Sequence, residues 1–298
     1  MTHPFRFGVV TAFARSGDEW ADKARRVESL GYSTLVMPDN LQYTLEPFPA
    51  LAVAAAATRT LRVGTYVLAN DYRNPVLLAK EAATLDLLSG GRLELGLGAG
   101  RPDAAGDNRM LGLPFDRGGV RVSRLGESLA LIKRLLSGET ATASGPHYAA
   151  SEAQVTPPPV QKPHPPILVA GIGPRLLSLA AREADIVAFS WAPTETEEGA
   201  AGKVGLVREA AGSGFDRLEL NLNLMAVADR VPRFISGQMG LDAARLAAAG
   251  SVAAVTGGTD EMCETLLRRR ERLGISYLLV ADELMDPLAP VVERLTGR

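Results

Sequence analysis

Eight short apolar runs, each followed by a stretch with helical periodicity, constrain the fold of this chain more than any single residue does. The runs occupy 5–13, 33–37, 61–68, 93–97, 167–170, 186–189, 218–227 and 275–280. Between them, the periodicity predicts helices over about 18–30, 48–58, 75–88, 118–136, 174–183, 194–211 and 260–273. Strictly alternating strand and helix indicate parallel strands covered by helices. A count of eight selects a closed (β/α)8 TIM barrel, because an open doubly wound sheet of about six strands would leave two runs without a role. The expected organisation is one barrel domain over 1–298, with a short insertion at about 139–165 after the fourth βα unit and a longer segment at about 229–257 after strand seven. Pro157, Pro158, Pro159, Pro163 and Pro165 make the first insertion irregular, with room for a small hairpin.

Composition narrows the partners. With 32 Lys and Arg against 34 Asp and Glu, the formal charge of −2 provides no global field toward nucleic acid or an anionic membrane. No apolar run is long enough for a signal peptide or an inserted helix, so a cytoplasmic location is the expectation. The one cysteine, Cys263, cannot form an internal disulfide and reads as an inert residue on the buried face of its helix. On the same helix, Glu264 and Arg268 have the spacing of an i,i+4 surface pair.

In a parallel barrel, chemistry collects where the strands end. Those positions hold Asp39 and Asn40, the 69–73 stretch ANDYR, Gly98, Gly100 and Arg101, then Gly171, Ile172, Gly173 and Arg175, and finally Ser190, Trp191 and Asp282. The Gly171-Ile172-Gly173-Pro174 turn lies between a strand and a helix start. Glycine lets the backbone approach an anion there, the first helical N–H groups point at it, and Arg175 can add charge. Gly96, Gly98 and Gly100 lack the spacing of a dinucleotide fingerprint, and they read better as room for a flat ring above the barrel mouth. Trp191, at a strand end, is placed to line that pocket.

The three histidines, His3, His147 and His164, follow no barrel strand, so zinc sites and Ser-His-Asp triads lack their parts, and no metal site is expected. The better reading is chemistry carried by an organic cofactor that the protein binds and orients for a small-molecule substrate.

Four segments then carry a family likeness: ESLGYSTLVMPD (28–39), TLRVGTYVLANDYRNP (60–75), LAKEAATLDLLSGGRLELGLGAG (78–100) and PHPPILVAGIGPR (163–175). Together they resemble the bacterial luciferase-like superfamily, in its branch of oxidoreductases that use the deazaflavin coenzyme F420. The resemblance covers essentially the whole chain. It implies a barrel, usually a homodimer, that binds F420 or FMN at its C-terminal mouth, with a separate F420 or flavin reductase as a further partner. It also implies a non-prolyl cis peptide at Tyr66–Val67 beneath the ring and a phosphate turn on Gly171, Ile172 and Gly173. Two positions depart from the sugar-phosphate dehydrogenases of that branch. Asn40 stands where they look to have histidine, and Arg101 where they carry glutamate, so glucose-6-phosphate oxidation is disfavoured.

The expectation is therefore an F420-dependent oxidoreductase that moves a hydride between the coenzyme and an organic substrate. Asp39, Asn40 and Arg101 are its candidate catalytic residues, and Tyr66, Val67, Gly98, Gly100, Gly171, Ile172, Gly173, Arg175 and Trp191 its candidate cofactor contacts. The alternatives are a two-component FMN-dependent monooxygenase and a non-catalytic barrel that only binds the cofactor.

Overall fold

The computed structural model describes residues 3–298 and closes the eight runs into a parallel barrel. The strands are β1 (Arg6–Val10), β2 (Thr34–Met37), β3 (Arg62–Thr65), β4 (Leu93–Gly98), β5 (Ile167–Gly171), β6 (Ile186–Phe189), β7 (Glu219–Leu224) and β8 (Ile275–Ala281). Each pairs in parallel with the next, and β8 pairs with β1 to complete the ring. Around it run α1 (Gly17–Ser29), α2 (Pro47–Ala57), α3 (Pro75–Leu88), α4 (Gly118–Leu136), α5 (Pro174–Glu183), α6 (Glu197–Ala211), α7 (Thr259–Leu273) and α8 (Met285–Leu295).

Local chemistry sets the helix starts. Ser16, Asn74 and Thr196 each cap a first turn by accepting a backbone N–H, and Pro47, Pro75 and Pro174 occupy first helical positions where no N–H is needed. Glu28, near the end of α1, holds the approach to β3. Its carboxylate accepts the N–H groups of Arg59, Thr60 and Leu61 at 3.0, 2.7 and 2.9 Å and the Thr60 hydroxyl at 2.9 Å.

Strand alternation divides the core in two. Phe7, Val9, Leu35, Val63, Leu95 and Val169 face outward under the helices. Val36, Leu168, Ala170, Ile186, Ala188 and Leu279 fill the interior. At the N-terminal end the interior is ionic. Glu94, only 3% exposed, meets Arg6 at 2.6 Å and Arg62 at 2.7 Å. Arg6 also makes two bonds to Glu219, at 2.6 and 2.5 Å, and its guanidinium lies 3.5 Å from the centre of the Tyr277 ring. Burial alone would push the Glu94 carboxyl up, but the Arg6 and Arg62 guanidiniums hold it below the usual carboxylate range.

Both insertions have structure of their own. Ala141–Ser144 and Ala149–Ala153 pair as an antiparallel hairpin. Its tip is pinned to α4 by the Glu127 carboxylate, which accepts the N–H groups of His147 and Tyr148, both at 3.1 Å. After β7, Ala226–Val227 pairs with Ala254–Val255, and the helices Arg233–Met239 and Ala243–Ala248 between them bury Ile235 and Leu246 in a separate small core. Arg269 of α7 secures that segment by donating to the carbonyls of Ser251, Val252 and Ala254 at 3.1, 2.9 and 2.8 Å. The expected Glu264–Arg268 pairing gives way to a tertiary one, since Arg268 turns to Glu197 at 3.1 Å, where Arg269 also binds at 2.8 Å. Cys263 is buried, and burial pushes its thiol up, away from the reactive thiolate. Among the described residues, no helix is long and apolar enough to cross a membrane.

Two measurements test this frame. Glu94→Ala takes the shared carboxylate from Arg6, which keeps Glu219, and from Arg62, which keeps Gln161, and is expected to lower unfolding stability by about 1–3 kcal/mol in urea titration. Backbone hydrogen bonds hold the Glu28 carboxyl at about 2, against 4.5 when free, despite the upward push of its desolvation. A depressed folded pKa stabilises above the free value and loses that contribution as pH falls through the folded one. Glu28→Ala is therefore expected to melt below the wild type at pH 7, by about 1–2 kcal/mol, with the gap narrowing as pH drops from 4.5 toward 2.

Candidate active site at the mouth of the barrel

The mouth is shaped first by how β3 ends. The Thr65 hydroxyl donates to the Gly96 carbonyl at 2.8 Å and accepts the Gly96 N–H at 2.8 Å, locking the two strands together. The chain then leaves the ladder: the Tyr66–Val67 peptide is cis, and Leu68–Ala69 rejoins β4 opposite Leu97 and Gly98. Val67 turns inward with Tyr66, beside the interior cluster. This explains the glycines of β4 differently from the expectation. A Cβ on Gly96 would lie 1.9 Å from the Thr65 carbonyl oxygen, and one on Gly98 would lie 2.8 Å from a Val67 methyl. The glycines make room for the chain's own bulge, and the bulge, not the glycines, forms the surface at the mouth. Gly100 has φ +80 and turns the chain out of β4, a turn held by Arg121, which donates to the carbonyls of Ala99 and Gly100 at 2.9 and 2.7 Å.

Of the three candidate catalytic residues, two are engaged in holding loops. Asp39, at the end of β2, binds Arg73 at 2.6 Å and accepts the Ala69 N–H at 3.1 Å, so it fastens the exit of the bulge. Asn40 accepts the N–H groups of Gln42 and Tyr43 at 2.9 and 3.2 Å, the pattern of an Asx turn. Arg101 is 58% exposed and stands 3.6 Å from Asp103 and 3.9 Å from Asp107. Asp107 is buried and draws three loops together, because Gln42 also donates to it at 3.2 Å and the Tyr72 hydroxyl at 3.4 Å. Burial, followed by the nearby Asp107 and Asp39 carboxylates, pushes the Tyr72 phenol up to about 12. Tyr72 therefore keeps its proton at neutral pH and acts there as a donor.

The turn after β5 has the features of an anion cradle. A Cβ on Gly171 would strike the Leu176 side chain at 2.3 Å, so glycine is what lets α5 begin this close to the strand. Gly173 is the N-cap, and a Cβ there would meet open space. The first helical bond runs from Leu177 N–H to the Gly173 carbonyl at 2.9 Å, which leaves the N–H groups of Arg175 and Leu176 without an intrahelical acceptor. Ile172 and Arg175 are exposed beside this turn. Trp191, expected at the cofactor, lies elsewhere: it is 5% exposed and stacks on Phe189 at 4.7 Å in the layer between barrel and helices. Alternation explains this, since Phe189 and Trp191 share the outward face and Ser190 takes the inward one.

Across the mouth, Lys23 bridges Asp282 at 2.7 Å and the Thr11 hydroxyl at 3.1 Å, joining α1 to the ends of β8 and β1. Lys23, Arg121 and Asn223 lie outside the residues expected from the sequence, and Arg73 lies within the 69–73 stretch at the strand ends without an assigned role there. For Asn223 the signal was present in ELNLNL, where asparagine alternates with leucine and so shares one face of β7. Among the described residues, no group of three or more His, Cys, Asp or Glu could hold a metal ion.

A family model described as luciferase-like monooxygenase matches residues 3–233. The F420-dependent glucose-6-phosphate dehydrogenase of Microbacterium testaceum (strain StLB037) is 31% identical over 194 residues, spanning 62% of this chain and 56% of that one. The chain spans about half the length of the curated relatives it matches first. Among solved structures, the coenzyme F420-dependent tetrahydromethanopterin reductase from Methanopyrus kandleri superposes with a TM-score of 0.79 at 17% identity, over 98% of this chain and all of that one (100%). The monooxygenase RslO1 from Streptomyces bottropensis gives 0.72 at 22% identity, over 97% of each chain. These two likenesses concern the fold. The extent of the family match, together with the closed barrel, makes this chain a member of the luciferase-like monooxygenase family.

Proposed function

We propose that the protein is an F420-dependent oxidoreductase acting on a small organic substrate. The observation that carries the reading is the pairing of the inward bulge at Tyr66 and Val67 with the open glycine turn at Gly171, Ile172 and Gly173, one a partly buried hydrophobic surface and the other a turn with free helix-start N–H groups on the same mouth. The choice of F420 is supported by the name of the Microbacterium relative. The residues fit such a ligand: a Cβ at Gly173 would enter open space, and the first-turn N–H groups of α5 have no acceptor within the helix. In this reading Gly171, Ile172, Gly173 and Arg175 hold the phosphate, Gly98 and Gly100 shape the wall behind the bulge, and Tyr66 and Val67 support the ring. Bound there, the deazaflavin supplies two-electron hydride transfer.

The protein's own groups position the ring and the substrate. Asp39, fixed by Arg73, keeps the bulge in place from below the rim. Arg101, loosely paired and exposed, is free to meet an acidic substrate, and the Tyr72 hydroxyl near it stays protonated and donates to Asp107. Asn40 keeps its side-chain nitrogen for hydrogen bonding while its oxygen serves the loop, which gives no base at this position. FMN-dependent monooxygenation with a partner reductase is the second reading, favoured by the description of the matching family model.

Fluorescence titration of the apoprotein with F420 and FMN at equal ionic strength separates the two. Micromolar or tighter binding of F420 with weak FMN binding is the expected result, and the reverse selectivity would move the protein to the flavin monooxygenases. Gly173→Asp sharpens the test. Aspartate is a good N-cap and has space at this position, so the melting temperature is expected to hold or rise. Its carboxylate would occupy the anion cradle, and affinity for either phosphate-bearing ring is expected to fall by about tenfold or more.

A further inference from the structure

We propose that Asn223 recognises the hydrogen-bonding edge of the bound ring, an assignment that rests on the cofactor reading above. Leu220, Leu222 and Leu224 of β7 are buried outward in the main core, and so alternation turns Asn221 and Asn223 into the barrel. The Oδ1 atoms of both are buried without a hydrogen-bond partner among the described residues, and the two differ in depth, Asn221 being wholly buried and Asn223 half-buried nearer the mouth. Asn221 is fully buried and donates to the Tyr277 carbonyl at 3.1 Å, at the point where the β7–β8 register shifts. It repairs a backbone irregularity.

Asn223 lies two residues closer to the mouth, level with Leu279 of β8. Its Oδ1 is buried and has no hydrogen-bond partner among the described residues. The interior cluster to which Leu279 belongs is mostly apolar, with Val10, Val36, Tyr66, Val67 and Ala170. Two of the charged pairs of the rim are already matched, Asp39 to Arg73 and Lys23 to Asp282. An amide oxygen held out of water without a partner is costly in the free protein, and leucine there would avoid the cost. A ligand can repay it. The primary amide sets a donor beside an acceptor, which matches a ring edge where a carbonyl stands next to a ring N–H. The pyrimidinedione edge shared by deazaflavins and flavins has that form, so Asn223 orients either ring without choosing between them.

The proposal predicts opposite signs for stability and binding. Asn223→Leu is expected to melt at or above the wild-type temperature, and to bind the ring that the wild type binds, F420 or FMN, about tenfold or more weakly. Asn223→Ala, which adds no bulk, is measured beside it and should show the same loss of affinity. Thermal melts of the free proteins and fluorescence titrations with both rings supply the two readouts. Wild-type affinity in either variant overturns the assignment while leaving the cofactor reading intact. Melting well below wild type in both variants also overturns it, because it marks a structural group. If the wild type itself binds neither ring, the cofactor reading falls and this assignment falls with it.

Discussion

Five strands of the barrel meet on one small set of charges. Arg6 of β1, Arg62 of β3, Glu94 of β4, Glu219 of β7 and Tyr277 of β8 come together inside the N-terminal end, with Glu94 almost wholly buried. Ions in such a place need not raise net stability, because removing them from water costs about as much as their pairing returns. Their effect is on choice. A strand that slipped by two residues would keep its apolar face inward but separate Arg6 or Arg62 from Glu94, leaving a buried charge alone. The ionic end thus selects the register, and the register decides which residues reach the mouth at the opposite end.

The mouth itself depends on a steric exclusion. Because the Thr65 carbonyl occupies the space where residue 96 would carry a Cβ, only glycine permits the two strands to lie so close. That contact releases β3 from its ladder and sends Val67 inward, and Asp39 and Arg73 then fix the returning chain. The surface at the mouth is built from backbone and from the Tyr66 and Val67 side chains, with charged side chains acting as fasteners at its edge. A site of this kind suits a cofactor that brings its own reactivity.

The architecture was legible because it rests on periodicity, and eight apolar runs separated by helical stretches leave few alternatives. The glycine turn before α5 could be read for the same reason, since Pro174 marks a helix start and Gly171 marks the close approach of helix to strand. What could not be read was direction and partnership. Trp191 and Asn223 both sit near strand ends, yet one is turned into the outer core and the other into the barrel. That difference depends on the phase of alternation over only a few residues. Asp39 and Arg73 are 34 residues apart, and nothing local to either shows that they pair. Glu197 and Arg269, separated by 72 residues, pose the same difficulty, which is why α7 read as a solvated surface when it carries a buried guanidinium.

That guanidinium anchors a segment that packs largely on itself. By gripping the carbonyls of Ser251, Val252 and Ala254, Arg269 fixes the far end of the segment that follows β7, while the pairing of Ala226–Val227 with Ala254–Val255 fixes the near end. The chain between the two anchors packs on its own small core of Ile235 and Leu246. Such a bracketed cassette can change in length and content without a compensating change in the barrel. A change inside that segment would reshape one side of the mouth and leave the strand ends of β3 to β5 as they are.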